Sequence, residues 1–300
     1  MRPRRTRPES LAWVEQILGG GARVVTARPL TGGLTSLVHE LTVAQNGSRT
    51  RYVLRSWAPD TEHKDWVLRS VTRESAVLTA LERSSVPAPQ LVGSIGDDVP
   101  GGPALLMTRV PGRVLLMPRD REQWLRQMAQ MLARIHELEV AGPGFEPWLD
   151  IDTLTPPADA SHPDIWREAF ALVARQPSAT RPRFIHRDYQ HFNLLWSREQ
   201  LSGVVDWAGA GIGPPDVDVG HCRLNLTLLF SAHVAERFRE LYEAASGRAV
   251  DPYWDVHALL SYGPDWKDFL PLQIDGRAPL EIAGMTRRME EVLTFALRRA

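Results

Sequence analysis

The spacing of apolar residues changes at a single point along this chain, and that change limits the possible folds more than any other feature. Before it, short β-branched segments flank turn signals, as 37–44 and 51–57 flank the dipeptide Asn46-Gly47. After it, apolar residues recur at helical spacing, as in 119–138. Strands followed by helices predict an α+β fold with a small antiparallel sheet lobe and a larger, mainly helical lobe.

The first part predicts a five-stranded sheet that carries one helix, with a short helix over 11–18 in front of it. The predicted strands are 24–30, 37–44, 51–57, 90–95 and 104–110, and the predicted helix is 65–84. The second part predicts helices over 119–138 and 165–176, short strands on both sides of the string at 186–193, and mostly helix from Asp216 onward. The two predicted domains are residues 1–108 and 109–300.

Charge and composition exclude several classes of protein. The 300 residues carry 35 basic and 36 acidic side chains, so a net charge of −1 gives no electrostatic basis for a nucleic-acid partner. No apolar run approaches the roughly 18 residues that a membrane span needs, and no membrane partner is expected. The single cysteine, Cys222, excludes an intrachain disulfide, so we expect a cytoplasmic protein.

The lysines exclude one large class of nucleotide-binding proteins. The chain contains only Lys64 and Lys267, and neither follows a glycine, so the phosphate-binding loop GxxxxGK[ST] is absent from the sequence. The esterase motif GxSxG and the zinc-protease motif HExxH are also absent.

The most specific string is HRDYQHFN at 186–193, followed by SGVVDW at 202–207. Phosphoryl transfer from a nucleotide requires a group that orients the attacking hydroxyl and oxygen ligands for Mg²⁺. An Asp five residues before an Asn, followed by an Asp that ends an apolar strand, supplies this set. We therefore predict that Asp188 accepts the hydroxyl proton and that Asn193 and Asp206 hold Mg²⁺.

With these motifs the chain resembles the aminoglycoside phosphotransferase and choline kinase-like family, whose members are small-molecule relatives of the protein kinases. The resemblance runs from about Val24 to Asn225 and includes TGGLTS, YVLR, RE, VPAP, LMTRVPG, HRDYQHFN, VVDW and GPPDVDVG in that order. It implies a two-lobed protein kinase-like fold, ATP or GTP as co-substrate, and transfer to a small hydroxylated acceptor.

The resemblance also implies roles for residues of the first lobe. The implied nucleotide-binding residues are Gly32, Gly33, Thr35 and Ser36 at the phosphates, Arg55 with its partner Glu74, and Met107, Thr108, Arg109 and Val110 at the base. Residues 1–108 would then cover the nucleotide, and residues 109–300 would supply the catalytic groups and the acceptor site.

Two departures from the family pattern leave an alternative open. The phosphate loop has two glycines rather than three, and Arg55 stands where a lysine is usual, which keeps the charge but changes its geometry. Lys64 could replace it, but it lies in a polar turn and is expected to be solvated. The alternative is a catalytically weak, nucleotide-binding regulatory pseudokinase.

The segment after Asp206 argues against a protein substrate. Residues 207–215 contain no Ser, Thr or Tyr, so this segment cannot be phosphorylated, and it is short for a polypeptide-binding platform. We expect Asp216 and Asp218, which follow it, to cap the next helix and to brace the catalytic loop.

The acceptor site is predicted in 251–269, where aromatic residues and carboxylates alternate, with Asp265 and Trp266 as the candidate contacts. The loop at 144–152 is the alternative. Residues 110–300 carry a net charge of −5, which favours a cationic or neutral polyhydroxylated acceptor: an aminoglycoside-like antibiotic, an amino alcohol or a sugar-like metabolite.

Overall fold

The computed structural model of the chain describes residues 6–30, 36–58, 63–96, 101–147, 149–175, 177, 179–261, 263 and 266–300. The chain divides into two compact units. Unit 1 is Met1–Gly112 with Ser202–Gly209, and unit 2 is Arg113–Leu201 with Ala210–Ala300. The predicted boundary after residue 108 lies just before the first division, and the separate roles of the two domains stay a prediction. Within the described ranges, no helix is both long enough and apolar enough to cross a bilayer.

Unit 1 is built around one antiparallel sheet with the strand order β1-β2-β3-β5-β4. Its elements are α1 (Pro8–Leu18), β1 (Arg23–Pro29), β2 (Leu37–Gln45), β3 (Ser48–Ser56), α2 (Lys64–Leu81), β4 (Leu91–Ile95) and β5 (Ala104–Thr108). The predicted five-stranded sheet is confirmed. Asn46 and Gly47 both adopt positive φ, 49° and 76°, which gives the tight turn between β2 and β3 that their sequence predicts.

The two faces of this sheet bury different residues. Leu41, Leu54 and Leu106 face α1 and form a core with its Val14. Because side chains alternate along a strand, Arg55 points to the opposite face from Leu54. Helix α2 packs against β4 and β5. This alternation brings the cation of β3 to the glutamate of α2.

Unit 2 is mainly helical. Its elements are β6 (Arg113–Val114), α3 (Arg121–His136), α4 (Pro163–Val173), β7 (Arg183–Ile185), β8 (Leu194–Ser197), β9 (Gln200–Val204), β10 (Gly211–Gly213), α5 (Asp216–Leu229), α6 (Ala232–Ser246), α7 (Pro252–Leu260), α8 (Trp266–Ile274) and α9 (Met285–Leu297). Strand β9 leads the chain into unit 1, and the chain returns at β10. The helices predicted at 119–138 and 165–176 are present as α3 and α4, each shorter than predicted.

Helix α5 is buried along almost its whole length and packs against α7. Gly220 makes this close approach possible, since a Cβ atom there would lie 2.7 Å from the Ala258 side chain and 2.8 Å from the Asp255 carbonyl oxygen. The contact fixes the position of the next residue, His221, which contacts Asp188.

Candidate active site

Asp188 lies on the loop between β7 and β8, and three N–H donors hold its carboxylate. Its Oδ1 atom accepts hydrogen bonds from Gln190 Nε2 at 2.6 Å and from His221 Nε2 at 2.8 Å. Its Oδ2 atom accepts one from Asn193 Nδ2 at 2.8 Å. The Asp188 side chain nevertheless keeps 33% of its surface exposed, so the carboxylate is oriented by the protein and still reachable from solvent.

The charge state of Asp188 follows from these contacts. Partial burial disfavours the carboxylate, but the hydrogen bond and charge of His221 and the charge of His186 outweigh it and hold the pKa of Asp188 below its usual range. Asp188 is therefore an anion at neutral pH and can accept a hydrogen bond from a hydroxyl group.

Asp218 braces the loop that carries Asp188, as expected. Its carboxylate accepts hydrogen bonds from the backbone N–H groups of His186 at 2.7 Å and Arg187 at 2.6 Å. Arg187 adopts a φ of 69°, an unfavourable conformation for this residue that the two bonds help to hold immediately before Asp188. His136 Nε2 lies 3.1 Å from the same carboxylate.

The expected capping role of the two aspartates is wrong. Pro215 occupies the N-cap position of α5, so Asp216 and Asp218 are helical residues of its first turn. The Asp216 carboxylate instead accepts from Arg248 Nη2 at 2.5 Å. Burial raises the pKa of Asp216 to about 6, even though Arg248 opposes this effect.

Sequence reasoning missed the role of His221. It is 5% exposed and contacts Asp188, which precedes it by 33 residues. The available signal was its spacing: it lies three residues after Asp218, and residues at this spacing share a helix face. Because Asp218 was expected to brace the loop that carries Asp188, a residue on the same face of α5 could have been expected to contact that loop as well.

Unit 1 contains a second charged cluster, centred on Arg55. Arg55 Nη1 donates to Glu74 Oε2 at 2.9 Å and to Asp206 Oδ1 at 2.6 Å, and its Nε donates to Ser36 Oγ at 3.0 Å. The ion pair that the family resemblance implied between Arg55 and Glu74 is present. The backbone N–H of Trp207 also donates to Glu74, at 3.3 Å.

Electrostatics keep Arg55 charged. Burial works against the cation, but the charges of Asp206 and Glu74 raise the pKa of Arg55 above its usual range. Burial also raises the pKa of Glu74, against the opposing effect of Arg55. With both carboxylates ionised, these three side chains carry one positive and two negative charges, so a further cation would be favoured beside them.

The predicted Mg²⁺ ligands have chemistry that fits this ion. Asp206 uses one oxygen to bind Arg55, and its side chain is 36% exposed. The Asn193 Nδ2 group donates to the backbone carbonyl and the Oδ2 atom of Asp188, which leaves its amide oxygen as the ligand atom. Carboxylate and amide oxygens suit Mg²⁺. In the described part of the chain, no group of three or more His, Cys, Asp or Glu side chains could hold a metal by itself.

The segment that follows β5 uses its side chains internally. Arg109 donates to Glu40 Oε2 at 2.8 Å, to the Gly112 carbonyl at 3.0 Å and to the Val110 carbonyl. Met107 is buried, and Thr108 receives the backbone N–H of Gln90 on its hydroxyl at 2.8 Å. Contacts from this segment to a base would therefore come from its backbone.

The other predicted phosphate contacts fall at the edge of the described chain. Gly32, Gly33 and Thr35 lie outside the described residues, whereas Ser36 is described and accepts the hydrogen bond from Arg55. Lys64 is the exposed first residue of α2.

A cavity of about 540 Å³ opens in unit 2, and we refer to it as the α4–α8 cavity. It is lined by Leu149, Asp150, Thr153, Leu154, Thr155, Pro157, Trp166, Phe170, Leu260, Ser261, Gly263, Trp266 and Phe269. Both segments that were predicted to bind the acceptor, 251–269 and 144–152, contribute to its walls. Trp266 is 1% exposed and stacks on Trp166 with the ring centroids 6.1 Å apart. Asp265 lies outside the described residues.

Comparison with solved structures shows what this fold is similar to. An amicoumacin kinase in complex with AMP-PNP and Ca²⁺ is 14% identical, with a TM-score of 0.61 over 96% of this chain and 93% of the other. A thermostable mutant of aminoglycoside phosphotransferase APH(4)-Ia, in complex with ADP and hygromycin B, is 15% identical, with a TM-score of 0.60 over 96% and 97%. A choline/ethanolamine kinase family protein from Mesorhizobium loti is 19% identical, with a TM-score of 0.58 over 97% of each chain.

These likenesses confirm the predicted protein kinase-like α+β fold. No curated protein sequence matches the chain. The model of the phosphotransferase enzyme family matches residues 26–260, which is most of the sequence and includes both charged clusters. The chain therefore belongs to the phosphotransferase enzyme family.

Proposed function

We propose that this enzyme transfers the terminal phosphoryl group of ATP or GTP to a hydroxyl group of a small molecule, with Mg²⁺. The observation that carries the proposal is the state of Asp188. Three N–H donors orient its carboxylate, its pKa is held below the usual range, and a third of its side chain stays exposed to an incoming hydroxyl.

In the proposed reaction, Asp188 accepts the proton of the acceptor hydroxyl as the oxygen attacks the terminal phosphorus. A bond forms between that oxygen and phosphorus. The bond from phosphorus to the bridging oxygen breaks, and the nucleoside diphosphate leaves with the electron pair. When bound, Mg²⁺ neutralises phosphate charge and aligns the reacting groups. Asn193 and Asp206 would hold the ion through their side-chain oxygens.

The nucleotide is proposed to bind mainly to unit 1. The Arg55 guanidinium offers several donors in one plane, so it can contact a phosphate oxygen while it remains bound to Glu74. The residues proposed to act with it are Gly32, Gly33, Thr35 and Ser36 at the phosphates and Met107, Thr108, Arg109 and Val110 at the base. On the acceptor side we propose Trp266, with Asp265 beside it in the sequence.

The test is the release of ADP or GDP by the purified full chain, measured with and without Mg²⁺ against a panel of amines, sugars and hydroxylated antibiotics. We expect release that requires both Mg²⁺ and one acceptor class and that Asp188→Asn nearly abolishes. Tight nucleotide binding without release in any condition would favour the regulatory pseudokinase and contradict the proposal.

A further inference from the structure

We infer that the acceptor of this kinase is an uncharged hydroxylated molecule with an apolar ring system, which binds in the α4–α8 cavity. The inference rests on the proposed function and identifies its substrate class. It differs from the expectation based on net charge, which included cationic acceptors.

The walls of the α4–α8 cavity are poor in charge. Eight of the lining residues have apolar side chains, and Asp150 is the single ionisable residue among the described ones. Asp150 Oδ1 already accepts the backbone N–H of Asp152 at 3.2 Å. The volume of about 540 Å³ lies within the range usual for small-molecule sites. An apolar ring would lose little solvation here, whereas several ammonium groups would lose much.

The polar atoms at the walls suit a neutral ligand. Thr153, Thr155 and Ser261 contribute hydroxyl groups. Those of Thr153 and Ser261 already donate to the carbonyls of Asp150 and His257, so toward a ligand they can accept. The Trp266 Nε1 atom is buried and has no hydrogen-bond partner among the described residues. Because this atom is buried, it offers no contact to a ligand in the cavity. The Trp166 Nε1 atom is already used by Glu290 at 3.3 Å.

The cavity adjoins the surroundings of Asp188 through α7. Ser261 lines both the cavity and a narrow crevice. The other crevice residues are Phe145, Arg187, Val217, His221, His257 and Ala258. Ser261 follows Ala258 by almost one turn of helix, a rise of about 5 Å. The crevice includes His221, which contacts Asp188 directly, so the crevice connects the lining of the cavity with a residue that holds Asp188.

The crevice itself disfavours a cation. The Arg187 guanidinium lies 4.5 Å over the Phe145 ring and donates to the Glu146 carbonyl. Burial, together with the charge of Arg187, lowers the pKa of His257 to about 4, so His257 is neutral at pH 7. No described crevice residue is a carboxylate. A positively charged acceptor would therefore meet Arg187 without a compensating charge from these walls.

Two carboxylates of unit 2, Asp255 and Asp159, are paired with neighbouring cations. Asp255, a buried carboxylate of α7, accepts from Arg299 at 2.5 Å and also from Arg223. Asp159, close in sequence to the cavity loop, accepts from Lys267 at 2.6 Å and from Thr286 at 3.0 Å. Charges that are neutralised locally do not attract a cation elsewhere, which is why net charge is a poor guide to the substrate of this chain.

A matched pair of probes tests the inference: 2-naphthyl β-D-glucoside and 2-naphthyl 2-amino-2-deoxy-β-D-glucoside. They differ in one position, where a hydroxyl replaces an ammonium group. We expect calorimetry with the full chain, without nucleotide, to show at least tenfold tighter binding of the neutral probe. Glucose, which lacks the ring system, is expected to bind at least tenfold more weakly than that probe.

The charge of the wall can be changed at an exposed position. Thr155→Asp adds a carboxylate to the cavity and should reduce the preference for the neutral probe at least fivefold. Thr79→Asp, the same change on an exposed turn of α2, is the control and should leave the preference unchanged. Phe269→Ala should weaken binding of both naphthyl probes, because it removes part of the apolar wall.

Equal or tighter binding of the amino probe by the wild-type chain, or binding of neither probe, would overturn the inference. A separate assay of ADP or GDP release, with the same protein, Mg²⁺ and nucleotide, separates this result from a failure of the proposed function. Transfer to cationic acceptors alone would overturn the inference and leave the function standing. Tight binding of the neutral probe without transfer to any hydroxyl compound would support the binding site and overturn the function.

Discussion

Two charged clusters, one in each unit, hold their carboxylates in different ways. In unit 1, Glu74 is 2% exposed and is bound to Arg55, which is 6% exposed. In unit 2, Asp188 is 33% exposed at its side chain and is bound by N–H donors. The first cluster is a buried ion pair, and the second is an accessible anion.

The difference predicts different responses to substitution. Two buried charges lose their hydration, and each depends on the other, so removal of one leaves an uncompensated charge in the interior. An accessible carboxylate keeps part of its hydration and can lose one donor at a small cost in stability. Changes around Arg55 should therefore act on stability as well as on nucleotide binding, and changes around Asp188 should act mainly on rate.

The largest expected effect is on turnover at Asp188. Asp188→Asn should lower kcat by about 10²–10⁴-fold, because the hydroxyl proton loses its acceptor. The affinity for Mg²⁺-nucleotide should change little, since the proposed ligands remain. Asp206→Asn should weaken that affinity instead, and both constants can be measured by steady-state kinetics and by calorimetry with a non-hydrolysable nucleotide. An Asp188→Asn enzyme with wild-type turnover would contradict the assignment.

Arg55 provides the next largest effect. Arg55→Met should lower the free energy of unfolding by about 3–5 kcal/mol in urea titrations, because Glu74 is left buried without its cation. Replacing both partners, Arg55→Met with Glu74→Leu, should recover much of that loss and still bind nucleotide weakly. Equal stability of the single variant and the wild type would show that Arg55 is not part of a buried ion pair in solution.

The contribution of His221 should be smaller and should appear in the rate. His221→Phe is expected to lower kcat by about tenfold, with the acceptor KM nearly unchanged, because Asp188 loses one orienting donor worth about 1.5 kcal/mol. His221→Gln should restore most of the rate, since an amide can donate to the same carboxylate oxygen. A loss that glutamine does not restore would point to a packing role.

The loss of the His221 hydrogen bond should also change the pH dependence of kcat/KM. In the wild type, burial opposes the charged form of Asp188, and the hydrogen bond from His221 is the largest of the contributions that overcome it and lower the pKa. The proposed reaction requires the carboxylate, so activity should fall as the pH drops through that lowered pKa. His221→Phe removes a lowering contribution and should move the acidic limb of kcat/KM to higher pH.

Lys64 marks the smallest expected effect. It is exposed at the start of α2, so Lys64→Ala should change the free energy of unfolding by no more than about 0.5 kcal/mol. The nucleotide KM should also stay close to the wild-type value. A larger rise in nucleotide KM for Lys64→Ala than for Arg55→Lys would move the phosphate contact from Arg55 to Lys64.

Local sequence patterns were sufficient for most elements of the fold. Alternation in 37–44 and 51–57 and the Asn46-Gly47 turn predicted the β2–β3 hairpin, since the backbone twist of such a turn matches that of the strands. Helix ends were less accurate: α2 ends at Leu81 rather than at residue 84. Ends depend on capping and packing, which periodicity does not report.

The chain by itself determined the chemistry of the candidate site: the order of Asp188, Asn193 and Asp206, and the presence of a cation on the strand at Arg55. This was possible because these residues lie in short segments, where the residue types and their spacing along the chain can be read directly from the sequence. Tertiary structure decided which groups surround them. Arg55 meets Asp206 across 151 positions, His221 reaches Asp188 through the packing of α5 on α7, and the α4–α8 cavity gathers three separate segments. Such contacts depend on how distant elements pack. Folding also decides which acidic residues of unit 2 are paired with an arginine. The overall charge therefore did not predict the charge of the cavity.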